Sequence, residues 1–326
     1  ANIRRTFGDR SGLIARIETF TEDSGLPLSM KNFVNYYHLD PKAIYGKFSF
    51  SRLCADAGVR EEFSEPGETI LTNAFCKLVA VDSRRWIRFI LNVLPELSKE
   101  TIAALSDMEI RMLQMFYITV FQKAADFHSE ETEQNLQLLA GSPVMMQELK
   151  ELLEMNLERI DFIDRPVCLG FDCPLDLHCT YTRDQILIAM DYMTPNNVRE
   201  GVKWLPDKKV DVFFVTLNKS DKDYSPTTMY NDYSINESLF HWQSQSTTAD
   251  TSSTGQRYIN HRKMGSKVVL FVREFKQDSI GAAPYTYLGM ATYVEHTGSK
   301  PMNITWHLDQ PIPAKYLRKT NKLVVG

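Results

Sequence analysis

Hydrophobic residues in the first half of the chain recur at the three- and four-residue spacing of amphipathic helices. Such runs occupy residues 13–20, 70–79, 86–94 and 145–160. Ser106 and Glu109 stand directly before the apolar run 110–121, in the positions of a capping box that starts a helix. Alternating, strand-like patterns are scarce in this half. The pattern therefore predicts a region built from helices that ends near Asp164.

Beyond residue 165 the pattern changes to short runs of β-branched and aromatic residues separated by turn-forming residues. These runs lie at 210–217, 239–242, 267–273, 285–294 and 303–308. A second capping box at residues 182–185 predicts one helix, and residues 313–319 predict another. We expect an α+β chain with an all-helical domain at residues 1–164. A strongly curved sheet or β-barrel with a few helices is expected at residues 165–326.

Composition agrees with two soluble domains. The 326 residues are 43% hydrophobic and 24% charged, and a chain of this length exceeds one ordinary core. No apolar run approaches the ~18 residues of a membrane span. Residues 1–165 hold 19 Lys and Arg against 25 Asp and Glu, whereas residues 166–326 hold 18 against 16. Nucleic acid, if it binds, is therefore expected at the second half.

The five cysteines form an odd and sparse set, which favours reduced thiols and a cytoplasmic location. Cys168, Cys173 and Cys179 do not have the spacing of a zinc site. The sequence also lacks a complete phosphate-binding loop, a nucleophile elbow and a carboxylate cluster suited to Mg²⁺. We therefore expect a binding module without a metal or cofactor. An enzyme would need a metal or nucleophile that the sequence does not show.

Aromatic residues are concentrated in one segment, at Tyr230, Tyr233, Phe240 and Trp242, and a tract rich in hydroxyls and amides follows. Aromatic faces beside polar side chains suit a pocket for a flat, polar ligand such as a nucleobase. The alternative is that these rings are core residues of a β-domain, since burial of an aromatic ring is itself stabilising. The sequence leaves both interpretations open.

Three stretches carry a resemblance to a known family. They are FHWQSQSTTADTSSTGQRYINH at 240–261, VVLFVRE at 268–274 and APYTYLGMATYVEHTGSKPMNITWHLDQPIPA at 283–314. They resemble the C-terminal region of bacterial SauUSI-type helicase-nucleases, the ATP-dependent type IV restriction enzymes. These proteins join a phospholipase-D-like nuclease, a superfamily-2 motor and a long tail. The resemblance covers most of residues 215–316 and is weaker over the helical half, which is similar to a coupler between motor and reader.

The resemblance implies an SRA-like (SET- and RING-associated), PUA-type barrel that flips 5-methylcytosine out of duplex DNA. Tyr230 and Trp242 match the two aromatics that sandwich the base, with Trp in place of the second Tyr. Asp232 is the nearest match to the acid that reads cytosine, and Tyr233 occupies the position where an Asp is expected. Polar residues after the second aromatic would contact the pyrimidine edge. The implied base pocket comprises Tyr230, Asp232, Tyr233, Trp242, Gln243 and Ser244.

Basic residues around this segment are candidates for contacts to the DNA backbone, because each cation that neutralises a phosphate contributes to affinity. They are Lys219, Lys222, Arg257, His261, Arg262 and Lys263. The alternative for the residues after position 253 is an ordinary solvated turn.

These observations lead to one hypothesis and two rivals. The chain is expected to be a segment of a longer polypeptide that reads modified cytosine in double-stranded DNA for a type IV restriction system. Its expected partners are that DNA and the helicase and nuclease domains of the same polypeptide, which would use ATP and Mg²⁺; no membrane is expected. The rivals are a nucleic-acid-binding module insensitive to modification and a protein-interaction module that guides a helicase.

Overall fold

The computed structural model describes residues 9–218 and 232–320, which form two compact units. The helical unit contains the described residues up to Asp164, together with Asp184–Met193 and Ser279–Gly281. The sheet unit contains Arg165–Arg183, Thr194–Asp278 and the described residues from Ala282 onward. Two short segments of the second half of the chain therefore belong to the helical unit.

Ten α-helices make up the first 160 residues of the described chain. They are α1 (Arg10–Ser24), α2 (Met30–Tyr36), α3 (Lys42–Tyr45), α4 (Phe50–Asp56), α5 (Glu68–Leu78), α6 (Arg84–Val93), α7 (Lys99–Ala103), α8 (Asp107–Phe121), α9 (Glu130–Ala140) and α10 (Pro143–Arg159). A short 3₁₀ helix, Leu94–Glu96, follows α6. The predicted helical half is confirmed.

Local capping and buried polar contacts define these helices. The predicted capping box is present, since Ser106 Oγ accepts from the N–H of Glu109 at 3.2 Å and the Glu109 carboxylate accepts from the N–H of Ser106 at 3.1 Å. The buried carboxylate of Glu148 accepts from the N–H groups of Phe50 and Ser51 at 2.8 and 2.6 Å. Glu148 thereby satisfies the first N–H groups of α4 from a helix almost a hundred residues away.

Three α-helices lie in the second half of the described chain: α11 (Arg183–Ala189), α12 (Ser253–Asn260) and α13 (Ala314–Thr320). A single 3₁₀ helix, Pro195–Asn197, accompanies them. The first begins directly after Thr182, and the last matches the helix that the sequence predicts at 313–319. Within the described ranges, no helix has both the length and the apolar character needed to cross a membrane.

Ten strands lie in the second half of the described chain, and five of them coincide with the predicted runs. The ten strands are β1 (Thr180–Tyr181), β2 (Val202–Leu205), β3 (Val210–Asn218), β4 (Tyr233–Ser234), β5 (Leu239–Gln243), β6 (Lys267–Phe275), β7 (Gln277–Asp278), β8 (Gly281–Ala282), β9 (Tyr285–Thr297) and β10 (Asn303–Leu308). All five runs of β-branched and aromatic residues form strands, so this part of the prediction is confirmed.

Eight strands form one mixed sheet in the order β2-β3-β6-β9-β10-β5-β4, with β1 paired to β9. Among the strands that the structure describes, only β3 and β6 pair in parallel, from Val210 opposite Lys267 to Asn218 opposite Phe275. In the described residues the strand path does not close on itself, because β2 and β4 stand at its two ends. The expected closed barrel is therefore wrong, and the sheet is open.

A bulge in β9 bends the centre of this sheet. Leu270 pairs with Gly289 and the next residue, Phe271, pairs with Tyr287, so Leu288 is the extra residue. Gly289 has φ of +87°, which glycine adopts without steric cost. The side chains between the sheet and α12 form one apolar core that includes Phe213, Trp242, Tyr258 and Trp306.

Candidate nucleic-acid interface

The hairpin of β4 and β5 positions the residues that the sequence nominates for base binding. Asn236 shapes the turn, because its Oδ1 accepts from the N–H groups of Ser238 and Leu239 at 2.8 and 2.9 Å. Tyr233 pairs with His241 across the hairpin. Asp232 directly precedes β4, and Gln243 ends β5. Asp232 and Gln243, which are eleven positions apart in sequence, thereby lie side by side.

Asp232 and the end of β5 are joined by a direct hydrogen bond. The carboxylate Oδ1 of Asp232 accepts from the backbone N–H of Gln243 at 2.8 Å, and Asp232 is only 7% exposed. Ser244 is also buried, and its hydroxyl accepts from the N–H of Met302 at 2.8 Å. The acid and one polar residue therefore have defined positions, which they owe to hydrogen bonds with the backbone.

A pocket of about 250 Å³ lies beside the end of β5. Four of the nominated residues line it, namely Asp232, Trp242, Gln243 and Ser244. Its lining also includes Arg183, Arg199, Phe214, Thr216 and Tyr285, which the sequence prediction missed. Pockets for drug-sized ligands measure roughly 300–1,000 Å³, so this one suits a smaller ligand of about the size of a nucleobase.

Trp242 contributes to the core more than to the pocket. Its ring stacks on Phe213 at a centroid distance of 4.2 Å and meets Tyr258 edge to face at 5.5 Å. Trp242 is 5% exposed, so only a small part of its surface is open to a ligand. This burial matches the interpretation of Trp242 as a core aromatic, which the sequence left open beside the pocket interpretation.

Tyr233 lies away from the pocket. Its ring stacks on His241 at 4.7 Å, and His241 points to the face of β5 opposite that of Phe240 and Trp242 because side chains alternate along a strand. The structure therefore does not bring Tyr233 together with Trp242. Tyr230, the other aromatic nominated as a wall, lies outside the described residues, as do Lys219 and Lys222.

The polar tract after β5 forms hydrogen bonds with the turn between β9 and β10. The N–H of Lys300 donates to the carbonyl of Thr248 at 3.0 Å, and the N–H of Asp250 donates to Ser299 Oγ at 3.2 Å. A Cβ at Gly255 would lie 2.2 Å from the carbonyl oxygen of Ala249, so only glycine permits this approach. Gln245, Ser246, Thr247, Thr251 and Ser253 of this tract are exposed, and any contact of the tract with DNA stays a prediction.

Arg257 has a structural role that the sequence did not reveal. Its Nε and Nη2 donate to the two carboxylate oxygens of Asp211 at 2.8 and 2.9 Å, and the Asp211 side chain is fully buried. Burial raises the pKa of Asp211, and the hydrogen bond from Arg257 opposes that rise. The guanidinium also lies 4.4 Å from the ring centroid of Trp204. The expected phosphate contact is therefore not supported for Arg257, because the ion pair and the ring occupy its cation.

His261 is likewise part of the interior. It is 3% exposed, and its Nε2 accepts from the backbone N–H of Tyr293 at 3.0 Å. Nδ1 lies 3.2 Å from the carbonyl oxygen of Ser266, which requires the Nδ1–H tautomer. Burial lowers the pKa of His261. The geometry therefore supports a neutral structural histidine in place of the expected DNA contact.

Arg262 and Lys263 are exposed in the turn that precedes β6. This turn lies at the start of β3, because Val210 pairs with Lys267. The pocket lies towards the other end of β3, at Phe214 and Thr216. Six residues of a strand span about 20 Å, so the structure separates these two cations from the pocket. Their predicted contacts to DNA stay a prediction.

The cysteines and His178 occupy separate surroundings. Cys173 and Cys179 are buried, whereas Cys168 is exposed. Burial lowers the pKa of His178 to about 4, which favours a neutral ring. Across residues 9–218 and 232–320 no group of three or more His, Cys, Asp or Glu side chains has the arrangement of a metal site.

Comparison with known proteins matches the sheet unit to one family. A family model described as a domain of unknown function, DUF3427, matches residues 175–319. This part of the chain is similar to that domain. The match includes the pocket lining from Arg183 to Tyr285 and the strands from β1 to β10. No match was found among curated proteins.

Proposed function

We propose that the sheet unit reads modified DNA by holding an extruded 5-methylcytosine or 5-hydroxymethylcytosine in the pocket beside β5. The observation that carries the proposal is the convergence of Asp232, Gln243 and Ser244 on one small pocket that also contains arginines. Because Trp242 offers little surface, the pocket depends on hydrogen bonding to the base edge more than the family resemblance implies. The family resemblance assigns one stacking wall to Tyr230, which lies outside the described residues.

The chemistry of Asp232 suits cytosine. The exocyclic N4 amine of cytosine donates hydrogen bonds, whereas thymine presents an acceptor at the same position. A carboxylate has about four acceptor sites, so Asp232 can accept from the N–H of Gln243 and from a base amine together. Extrusion of a base costs a few kcal/mol, and one aromatic stack returns about 1–3 kcal/mol. Hydrogen bonds must supply the remainder.

A methyl group adds only a small increment. Burial of one methyl contributes about 0.8 kcal/mol, which corresponds to roughly a fourfold change in affinity. The proposed reader therefore prefers methylated over plain duplex by about fourfold unless the pocket also excludes water from the unmodified base. That preference is small but measurable, and it defines the experiment.

The helical unit is proposed to couple the reader to helicase and nuclease domains of the same polypeptide, which would use ATP and Mg²⁺. Two features support a protein-contact role. Residues 1–165 carry an excess of six acidic groups, which disfavours contact with DNA. An apolar cleft of about 480 Å³ also lies between α6, α9 and α10, lined by Leu91, Leu94, Leu136 and Leu153 among others.

The titration of two duplexes that differ by one 5-methyl group tests the reader proposal. At one fixed salt concentration we expect the full chain to bind the methylated duplex about fourfold more tightly. Asp232→Asn replaces the acceptor of the N4 amine by an amide, which should weaken binding of both duplexes because both carry that amine. We expect the two affinities to converge as well, because the extruded base and its methyl group are then no longer held in the pocket. Asp207→Asn, in the exposed turn between β2 and β3, removes the same charge away from the pocket and should retain the preference.

The outcomes separate the proposal from its rivals. Equal affinity of the unaltered chain for both duplexes would contradict modified-base reading. Absence of binding to either duplex would contradict a DNA-binding role and favour the protein-interaction module. A retained preference in Asp232→Asn would show that another residue reads the base. Thermal unfolding of both variants checks that the fold is unchanged.

The burial of Trp242 favours a second candidate function, in which the sheet unit binds nucleic acid without regard to modification. A core Trp cannot also serve as an open stacking wall, and its replacement by Ala is expected to cost about 3–5 kcal/mol of stability. The second candidate predicts that a conservative Trp242→Phe leaves affinity for both duplexes unchanged. Loss of the methyl preference in a folded Trp242→Phe would instead support the pocket.

A further inference from the structure

Two arginines line the pocket, and Arg183 binds the backbone on both sides of the other, Arg199. The Arg183 guanidinium donates to the carbonyl oxygens of Val198 and Glu200, at 3.4 and 2.9 Å, and these two residues flank Arg199. The three-residue segment that carries Arg199 is thereby attached to the start of α11. Arg183 precedes Val198 by 15 positions in sequence and Glu200 by 17.

Arg183 is itself held by aromatic residues. Its Cζ lies 4.5 Å from the ring centroid of Phe214, and its Nη2 donates to the hydroxyl of Tyr285 at 3.2 Å. The guanidinium therefore contacts two carbonyls, a hydroxyl and a ring face within the same unit. Its donors are used for holding the protein, so Arg183 is a positioning residue.

Arg199 is different, because its side chain is exposed and lines the pocket together with Asp232. A guanidinium presents five donors in a planar fork that matches phosphate oxygens. An extruded base remains attached to a sugar flanked by phosphates, so any duplex that places a base in this pocket brings phosphates to its opening. A segment held in place beforehand loses less entropy when it contacts an anion.

We infer that Arg199 contacts a DNA phosphate beside the extruded nucleotide and that Arg183 positions Arg199 for this contact. The inference rests on the proposed function, since it requires DNA at the pocket. It assigns to the pocket an anionic ligand group that base recognition alone does not need. It also proposes Arg199, which is exposed to solvent, as the phosphate contact in place of Arg257, whose guanidinium is paired with Asp211.

The salt dependence of binding tests the role of Arg199. Arg199→Gln is expected to weaken binding of methylated and plain duplex alike, by about three- to tenfold at low salt. The slope of log affinity against log salt should decrease in magnitude by about 0.9, the value for one phosphate contact. The ratio between the two duplexes should not change. Arg165→Gln removes an exposed arginine of the same unit outside the pocket lining and should leave affinity and slope unchanged.

A double-mutant cycle tests the role of Arg183. Arg183→Lys retains the charge, but one ammonium cannot replace both Nη1, which donates to the two carbonyls, and Nη2, which donates to the Tyr285 hydroxyl. We expect Arg199→Gln to have a smaller effect on the salt slope in the Arg183→Lys background than in the unaltered chain. A purely structural Arg183 would lower thermal stability and leave the effect of Arg199→Gln intact, which would overturn the positioning role.

Failure of this inference differs visibly from failure of the proposed function. If the unaltered chain prefers methylated duplex and Arg199→Gln has the same salt slope as Arg165→Gln, the reader stands and Arg199 does not contact phosphate. A loss of the methyl preference in Arg199→Gln would also overturn the inference, because it would make Arg199 a base contact. If no duplex binds the unaltered chain, the proposed function itself fails.

Discussion

The two ends of β3 hold charged side chains in different surroundings. At its start, Asp211 is fully buried and its carboxylate is paired with Arg257 through two hydrogen bonds. Towards its other end, Arg199 is exposed at a pocket that also contains Asp232. Charges at the first end neutralise each other inside the unit. Charges at the second end face a space that a ligand can enter.

This difference shows why the type of residue alone does not identify a binding site. Arg257 and Arg199 are both arginines of the sheet unit. The ring of Trp204 lies beside Arg257, and Arg183 holds the backbone segment that carries Arg199. Buried charges are retained in proteins when they are paired, because removal from water costs several kcal/mol per ion. An exposed charge pays little of this cost and stays available for a phosphate. The surroundings therefore give Arg257 a structural role, whereas Arg199 stays exposed and is proposed to contact a phosphate.

The largest expected effect concerns the buried pair. Arg257→Ala leaves the Asp211 carboxylate buried without its partner, and we expect a loss of about 3 kcal/mol in the free energy of unfolding. Urea unfolding near neutral pH measures it. Arg262→Ala removes an exposed arginine a few residues away and should change stability by less than about 0.5 kcal/mol. Equal effects of the two variants would remove the distinction between the two ends of β3.

A smaller effect concerns His261, which lies near the buried pair in sequence. Burial lowers its pKa in the folded protein, so the unfolded chain binds the proton more readily. The contribution of the neutral ring is therefore present above the ordinary value of 6.5 and is lost as the pH falls below it. Protonation of Nε2 removes the acceptor for the N–H of Tyr293, and we expect a loss of about 1 kcal/mol.

Unfolding in urea at about pH 7.5 and about pH 5.5 measures this dependence, a range that brackets the ordinary titration of histidine. His261→Gln provides a side chain that does not titrate, so the variant should lose less stability between the two pH values. The comparison with the variant is needed because the pKa of His178, lowered to about 4, gives a pH dependence of the same sign. Identical losses in both proteins would show that His261 does not titrate as its burial implies.

The smallest expected effect concerns the length of DNA that the unit contacts. The turn with Arg262 and Lys263 lies about 20 Å from the pocket along β3, a distance of about six base-pair steps. Replacement of both residues by Gln should weaken binding of a long duplex by about two- to fivefold. A duplex that ends about four base pairs from the modified base should show no change, because its phosphates do not reach the turn.

Arg199→Gln provides the matched comparison, since it should act on the long and the short duplex alike. An effect of the Arg262 and Lys263 replacements on both lengths would place these cations close to the pocket. No effect on either length would show that they belong to an ordinary solvated turn.

Local patterns predicted most of the secondary structure. The capping box at Ser106 and Glu109 depends on residues three apart, and the strand runs depend on side chains next to each other. Both kinds of signal lie within a few consecutive residues, so they can be recognised without knowledge of the tertiary fold. The closed barrel was wrong because closure depends on which strands stand at the edges, and no local pattern specifies this.

The candidate site was predicted only in part for the same reason. Asp232, Gln243 and Ser244 were nominated through the family resemblance, and the structure brings all three to one pocket. Their role in base binding stays a prediction. Arg183 and Arg199 were missed because their significance comes from contacts with Val198, Glu200 and Tyr285, the last of them 102 positions from Arg183. Arg257 was nominated as a phosphate contact without regard to its ion pair, because its partner Asp211 is 46 residues away in sequence.

The sequence by itself determined the helical half, the strand runs and the segment where a pocket could form, since each follows from periodicity and composition within a few turns or strands. The tertiary structure alone decided which charges are buried and which are exposed. That decision depends on the parallel pairing of β3 with β6, which places α12 and Arg257 over the start of β3. Pairing between distant strands sets the surroundings of each ionic group, and these surroundings decide whether its charge stabilises the fold or remains open to a ligand.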